Sequence, residues 1–96
     1  MDIVSLTRAN RAKIIEISEK YGARTVRLFG SVATGSASQS SDLDVLVEMN
    51  PGSTLLDIVA IKQDLEDLLG CPVDVVTEEA LSPYIRAQVL KESVNL

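Results

Sequence analysis

The chain contains no histidine, no tryptophan and one cysteine, Cys71. Each absence closes a route. Without histidine or a second cysteine the usual zinc ligand sets cannot be assembled, and no internal disulfide can form. Cys71 lies between Gly70 and Pro72 at the entry to an apolar segment, and reads as a small buried apolar residue rather than a reactive thiol. Lack of histidine also passes any proton transfer to the carboxylates. Aromatics make up only 3% of the residues, too few for a platform of exposed rings that stacks single-stranded nucleic acid. No apolar run approaches the ~18 residues of a membrane span and no signal peptide is visible, so a cytoplasmic protein with no membrane contact is expected.

What is present suits one small folded domain over residues 1–96, since 46% of the side chains are hydrophobic. Charge is unevenly spread. Residues 1–30 carry six basic and three acidic side chains, a net of +3, and residues 31–96 carry three and eleven, a net of −8, summing to −5. That total disfavours binding of nucleic acid through its phosphates. The basic start reads first as a solvated helix face, although it could touch an anionic ligand or an acidic partner.

Hydrophobic periodicity and turn chemistry predict the elements. A helix spans 6–21, capped by Ser5 or Thr7 and stopped by Gly22. A strand follows over 25–29, then a loop of small residues over 31–41 that begins with a short helical turn. A second strand spans 43–48, and Asn50-Pro51-Gly52 forms a turn. Ser53 or Thr54, the latter with Asp57 three residues on as in a capping box, caps a helix that carries Leu55, Ile58, Val59, Leu65 and Leu68 or Leu69 at helical spacing and ends at Gly70. A third strand runs over 73–77. Ser82 and Pro83 open a last helix that reaches Glu92 and turns Ile85, Val89 and Leu90 inward. The helix between the second and third strands makes those two parallel. The fold class is therefore α/β (α+β), a three-stranded sheet flanked by helices. The apolar last helix leaves a homodimer open.

The chemistry concentrates between Gly30 and Asp44, in the segment GSVATGSASQSSDLD. On a strand, residues two apart share a face, so Asp42 and Asp44 project together while Leu43 and Val45 turn away. Two carboxylates so placed repel unless a cation lies between them, and Mg²⁺ favours oxygen ligands shared with substrate phosphates. Gly30 lets a triphosphate approach the backbone, and Ser31 and Ser41 can donate to phosphate oxygens. Asp74 sits inside the apolar strand Val73–Thr77, a costly position unless it joins the other two carboxylates around one or two Mg²⁺ ions. It could also accept a hydroxyl proton; the plainer alternative is a surface residue on an edge strand. Asp64, Glu66, Asp67, Glu78, Glu79 and Glu48 read as solvated faces.

The Gly-Ser, ten-residue spacer and Asp-x-Asp of GSVATGSASQSSDLDVLVE, followed by VDVVT and SPYIRAQVLKE, resemble the minimal nucleotidyltransferases of the DNA polymerase β-like superfamily. The resemblance covers residues 25–91. It implies a mixed sheet with the first strand antiparallel to the others. It also implies Asp42 and Asp44 as the metal pair, Asp74 as the third carboxylate, and Gly30 and Ser31 as nucleotide-phosphate contacts. Proteins of this kind look like antitoxins that transfer AMP from ATP onto a tyrosine of a HEPN-domain ribonuclease toxin, with Mg²⁺ as cofactor. A non-catalytic antitoxin or scaffold subunit, and a nucleotidyltransferase acting on a small molecule, are the alternatives. One departure stands out: the family's loop commonly carries Arg where this chain has Thr34. Arg27, Arg24 or Lys62 would then have to supply the missing charge, or nucleotide affinity is lower.

Overall fold

The computed structural model describes residues 3–30, 33 and 42–96. Helices α1 (Ile3–Ala9) and α2 (Arg11–Lys20) lead into strand β1 (Ala23–Phe29). Strand β2 (Leu43–Met49), helix α3 (Leu55–Leu69) and strand β3 (Val73–Thr77) follow. A 3₁₀ turn (Glu78–Ala80), helix α4 (Pro83–Glu92) and a short strand β4 (Val94–Asn95) complete the described chain.

The single N-terminal helix expected over 6–21 is divided at Asn10. The Asn10 amide side chain donates to the Leu6 carbonyl at 2.9 Å, and its backbone N–H is shared between the Leu6 and Thr7 carbonyls at 3.2 Å each. An Asn side chain that competes for the helical carbonyls in this way interrupts the ladder. Thr7 and Ser18 are buried polar residues satisfied locally, their hydroxyls donating to the carbonyls of Ile3 and Ile14 at 2.7 and 2.8 Å.

Helix α3 keeps its expected ends. The Thr54 N–H donates to Asp57 Oδ2 at 2.9 Å, and Gly70 closes the helix in the left-handed region at φ 67°. Its buried row runs through Ile61, Leu65 and Leu69, whereas Leu55, expected on the apolar stripe, is 75% exposed. Expectation holds only in part for α4: Val89 and Leu90 are half-buried, but no residue of this helix is fully buried and Ile85 is exposed. Its apolar spacing is real, but the helix rests loosely and presents Ile85 outward.

The sheet has four strands in the order β3-β2-β1-β4, not the three expected. β2 and β3 are parallel, while β1 is antiparallel to both β2 and β4. The added strand is two residues long, too short to carry any alternation that a sequence could display. One face of the sheet supplies Val26, Leu28, Leu43, Val45, Val47 and Val73 to a core that also takes Ile3, Ile14, Ile61, Leu65 and Leu69 from the helices. The opposite face carries Arg27, Phe29, Asp44, Leu46 and Asp74, and the candidate site lies there.

Candidate active site

Register alone brings the acidic residues together. Asp44 of β2 is the direct partner of Asp74 on the parallel strand β3, and of Phe29 on β1. Paired residues on adjacent strands point to the same side. Leu43, Val45 and Val47 are at most 2% exposed on the core side, so alternation turns Asp44 to the other face. Asp42 precedes β2 and is exposed. Asp44 is half-buried, and its carboxyl holds its proton more firmly than an ordinary aspartate. Burial is the first cause, then the charge of Asp74, then that of Asp42. The alternative of Asp74 as an edge-strand surface residue is half right: it is exposed on an edge strand, and it is also Asp44's neighbour.

Gly30 follows Phe29 at the end of β1, with φ at 73° in the left-handed region. A Cβ built there would collide with Asp44 Oδ2 and lie 3.2 Å from its Cγ. Any side chain would therefore be strained in its backbone and would push the carboxylate aside. The glycine lets the end of β1 close directly onto Asp44. Ser31, Ser41 and Thr34 lie outside the described residues.

Do these groups suit a divalent cation? Among the described residues, no Lys or Arg side chain forms an ion pair with Asp42, Asp44 or Asp74. The mutual repulsion felt by Asp44 is thus uncompensated by protein charge, and an oxygen-only donor set fits a hard cation. Among the described residues, no three acidic, Cys or His side chains already enclose one point as a metal cage. The strands set Asp44 and Asp74 side by side, with Asp42 near enough for its charge to act on Asp44.

Other polar residues resolve into distinct roles. Arg24 is answered by Glu48 at 3.4 Å, and Lys62 by Glu66 at 2.8 Å. Glu66, expected to be simply solvated, also accepts the Val73 N–H at 3.0 Å and so ties α3 to the start of β3. The Lys62 hydrogen bond, then that N–H, hold its carboxyl below the usual range. Asp64, read likewise, accepts the Tyr21 hydroxyl at 2.8 Å and joins α3 to the end of α2. Burial, then the charges of Asp42 and Glu66, push the Cys71 thiol up, in keeping with an unreactive residue packed at the core's margin. Arg27 differs from the other candidate cations. Its guanidinium donates to neutral acceptors, Asn95 Oδ1 at 3.1 Å and Ser93 Oγ at 3.4 Å. Sequence reasoning missed a groove of about 330 Å³ on the same face, lined by Arg27, Leu46, Glu48, Glu78, Glu79 and Leu90 among others. The one available signal was the shared parity of Arg27 and Phe29 along β1.

This constellation, acidic residues in register beside a glycine turn on the open face of a mixed sheet, coincides with a known family. A nucleotidyltransferase domain model matches residues 11–96. The chain belongs to the nucleotidyltransferase-domain family and is an enzyme of that class. Within it the chain is a minimal nucleotidyltransferase. Its fold superposes on the solved structure of a candidate minimal nucleotidyltransferase with TM-score 0.89 and 47% identity, covering 100% of this chain and 97% of that one. It is 38% identical over 79 residues to the protein adenylyltransferase MntA of Thermococcus cleftensis, covering 82% of this chain and 80% of that one. It is similar too to a toxin–antitoxin crystal structure with AMP-PNP, with TM-score 0.76 and 25% identity, covering 90% of this chain and 71% of that one.

Proposed function

We propose that this chain transfers AMP from ATP to a tyrosine hydroxyl of a HEPN-domain ribonuclease toxin, with Mg²⁺, and acts as the antitoxin of the pair. The observation that carries the reading is the register pair Asp44–Asp74, with Asp42 close enough for Asp44 to feel its charge and Gly30 closed against the Asp44 carboxylate. Similarity to a protein adenylyltransferase supports the AMP group and a protein acceptor; similarity to a toxin–antitoxin structure with an ATP analogue supports the partner.

Asp42, Asp44 and Asp74 would hold the Mg²⁺. When bound, the cation makes the attacking hydroxyl more acidic and offsets charge on the departing phosphates. The chain's own residues do the rest. Gly30, having no side chain, would let the triphosphate approach the backbone, and Ser31 and Ser41 would contact its oxygens. Asp74 lies exposed on the edge strand, where an incoming hydroxyl has access, and receives its proton. The tyrosine oxygen forms a bond to the α-phosphorus as the bond from that phosphorus to the bridging oxygen breaks. The electron pair leaves with pyrophosphate.

The test is incubation with α-labelled ATP, Mg²⁺ and the HEPN-domain protein encoded beside this chain. Label is expected on a tyrosine of the partner, with Asp44→Ala slowing the reaction about 10²-fold or more. Equal labelling by wild type and Asp44→Ala refutes the reading. Undiminished protection of cells by Asp42→Ala and Asp44→Ala would instead identify an antitoxin that neutralises by binding.

A further inference from the structure

The proposed reaction brings a triphosphate to a place that already holds Asp42, Asp44 and Asp74, none of them ion-paired among the described residues. A bound cation offsets part of that charge, but the departing pyrophosphate gains more as its bond to the α-phosphorus breaks. A basic side chain on the same face would stabilise it. Arg24 and Arg27 are the basic residues of the strands. Arg24 is answered by Glu48, and Lys62, on α3, by Glu66. Among the described residues, Arg27 meets no carboxylate.

Register places Arg27 close to the carboxylates. Phe29 is the partner of Asp44 and Arg27 that of Leu46, so Arg27 and Asp44 are diagonal neighbours on one face. Such neighbours lie about 7–8 Å apart, within reach of a long side chain. The Arg27 side chain also leans toward the Gly30 end of β1. β4 pairs Asn95 with Arg27 and Val94 with Leu28, so Ser93 comes next, on the side of Phe29. The guanidinium donates from Nη1 to Ser93 Oγ at 3.4 Å and from Nε to Asn95 Oδ1 at 3.1 Å. Both acceptors are neutral, so they orient the group and leave its charge uncancelled. They use only part of its donor fork.

Strand order gives the transfer a direction. β3 lies at the edge of the sheet, with β2 and then β1 beside it. Displacement at phosphorus runs roughly in line, with the attacking and leaving oxygens on opposite sides. A hydroxyl received beside Asp74 on β3 would attack a phosphorus held over Asp44 on β2. Its leaving group would then point to β1, where Gly30 and Arg27 stand. We infer that Arg27 binds the leaving β- and γ-phosphates, with Ser93 and Asn95 as neutral props that hold its guanidinium in place. The planar fork suits two phosphate oxygens at once. The inference rests on the proposed transfer from ATP.

Calorimetry measures binding of the α,β-methylene analogue of ATP, with Mg²⁺, to wild type, Arg27→Gln and Asn95→Asp, and AMP is titrated in competition with it. Arg27→Gln is expected to weaken the analogue about tenfold or more, the scale of a hydrogen bond to a charged group, and to leave AMP within about twofold. Asn95→Asp keeps Arg27 but sets a carboxylate against it, and should weaken the analogue by a similar factor. Analogue affinity within about twofold of wild type in Arg27→Gln overturns the inference. So does an equal loss of AMP and analogue, which would mean that Arg27 only laces β4 to β1. Wild-type affinity in Asn95→Asp overturns it too. These results leave the transfer reaction standing. A wild type that binds no analogue, or full labelling of the partner by Asp44→Ala, removes the reaction itself.

Discussion

At the scale of single residues, Asp44 carries the clearest conflict. Its carboxyl is held above the ordinary value of 3.8 by burial, Asp74 and Asp42, so the folded chain binds this proton more tightly than the unfolded chain does. The sign follows from linkage. At low pH the group is neutral in both states and has no effect. As pH rises from 3.8 through the raised folded value, folded stability falls, and above that window the whole penalty is present. Asp44→Asn, which never ionises, should match wild type in acid and exceed it in melting temperature at neutral pH without divalent ions. Mg²⁺ should then raise the wild-type melting temperature and leave Asp44→Asn nearly unmoved. Thermal melts across pH with EDTA or Mg²⁺ decide it, and a variant less stable than wild type at neutral pH would contradict the arrangement. Aspartates at positions 42 and 44 could be read from the sequence, because alternation on a strand is local. The contact between Gly30 and Asp44 could not, because it joins the ends of two strands across the loop.

At the scale of elements, legibility followed whether the signal was local. The Thr54–Asp57 cap, the Gly70 stop and the Ser82-Pro83 start are encoded within a few residues; α3 begins and ends at the first two, and α4 begins at the third. Burial is not local. Ile61 and Ile85 look alike in a sequence, yet Ile61 is 0% exposed against the sheet and Ile85 is 48% exposed on α4. Ile61→Ala should cost ~2–5 kcal/mol, the range for large-to-small changes in a packed core. Ile85→Ala should stay within ~0.5 kcal/mol, as for a surface change. Urea titration of the two variants separates the cases, and similar losses would mean that α4 packs as tightly as α3. Asn10 is the opposite kind of miss: its break is local, but Asn reads equally well as an exposed helical residue until its side chain is seen on the Leu6 carbonyl.

At the scale of the whole molecule, the sheet is a two-faced device. Helices bury one face, and the other stays open along the carboxylates and the groove. Such a design leaves the edges of the sheet as its weak points. On the β1 side the edge is closed by β4 and the residues around it. The Leu96 N–H donates to the Val26 carbonyl at 3.2 Å, Arg11 donates to the Leu96 carbonyl at 2.9 Å, and Arg27 holds Ser93 and Asn95. These few bonds cover the unpaired edge of a seven-residue strand, Ala23–Phe29, that contains Val26, Leu28 and Phe29. Removing residues 93–96 should therefore do more than fray a terminus. The core on the helical face loses only Leu96, a partly buried residue at its margin, so the chain should still fold, but β1 then offers free N–H and C=O groups to another copy. Light scattering after size exclusion should find a concentration-dependent dimer absent from the full chain, and hydrogen exchange should quicken at the exposed β1 amides in dilute solution. A truncated chain that stays monomeric with unchanged β1 protection would mean that the edge is guarded by the twist and charge of β1 itself, including Arg24 and Arg27, and not by the strand laid over it.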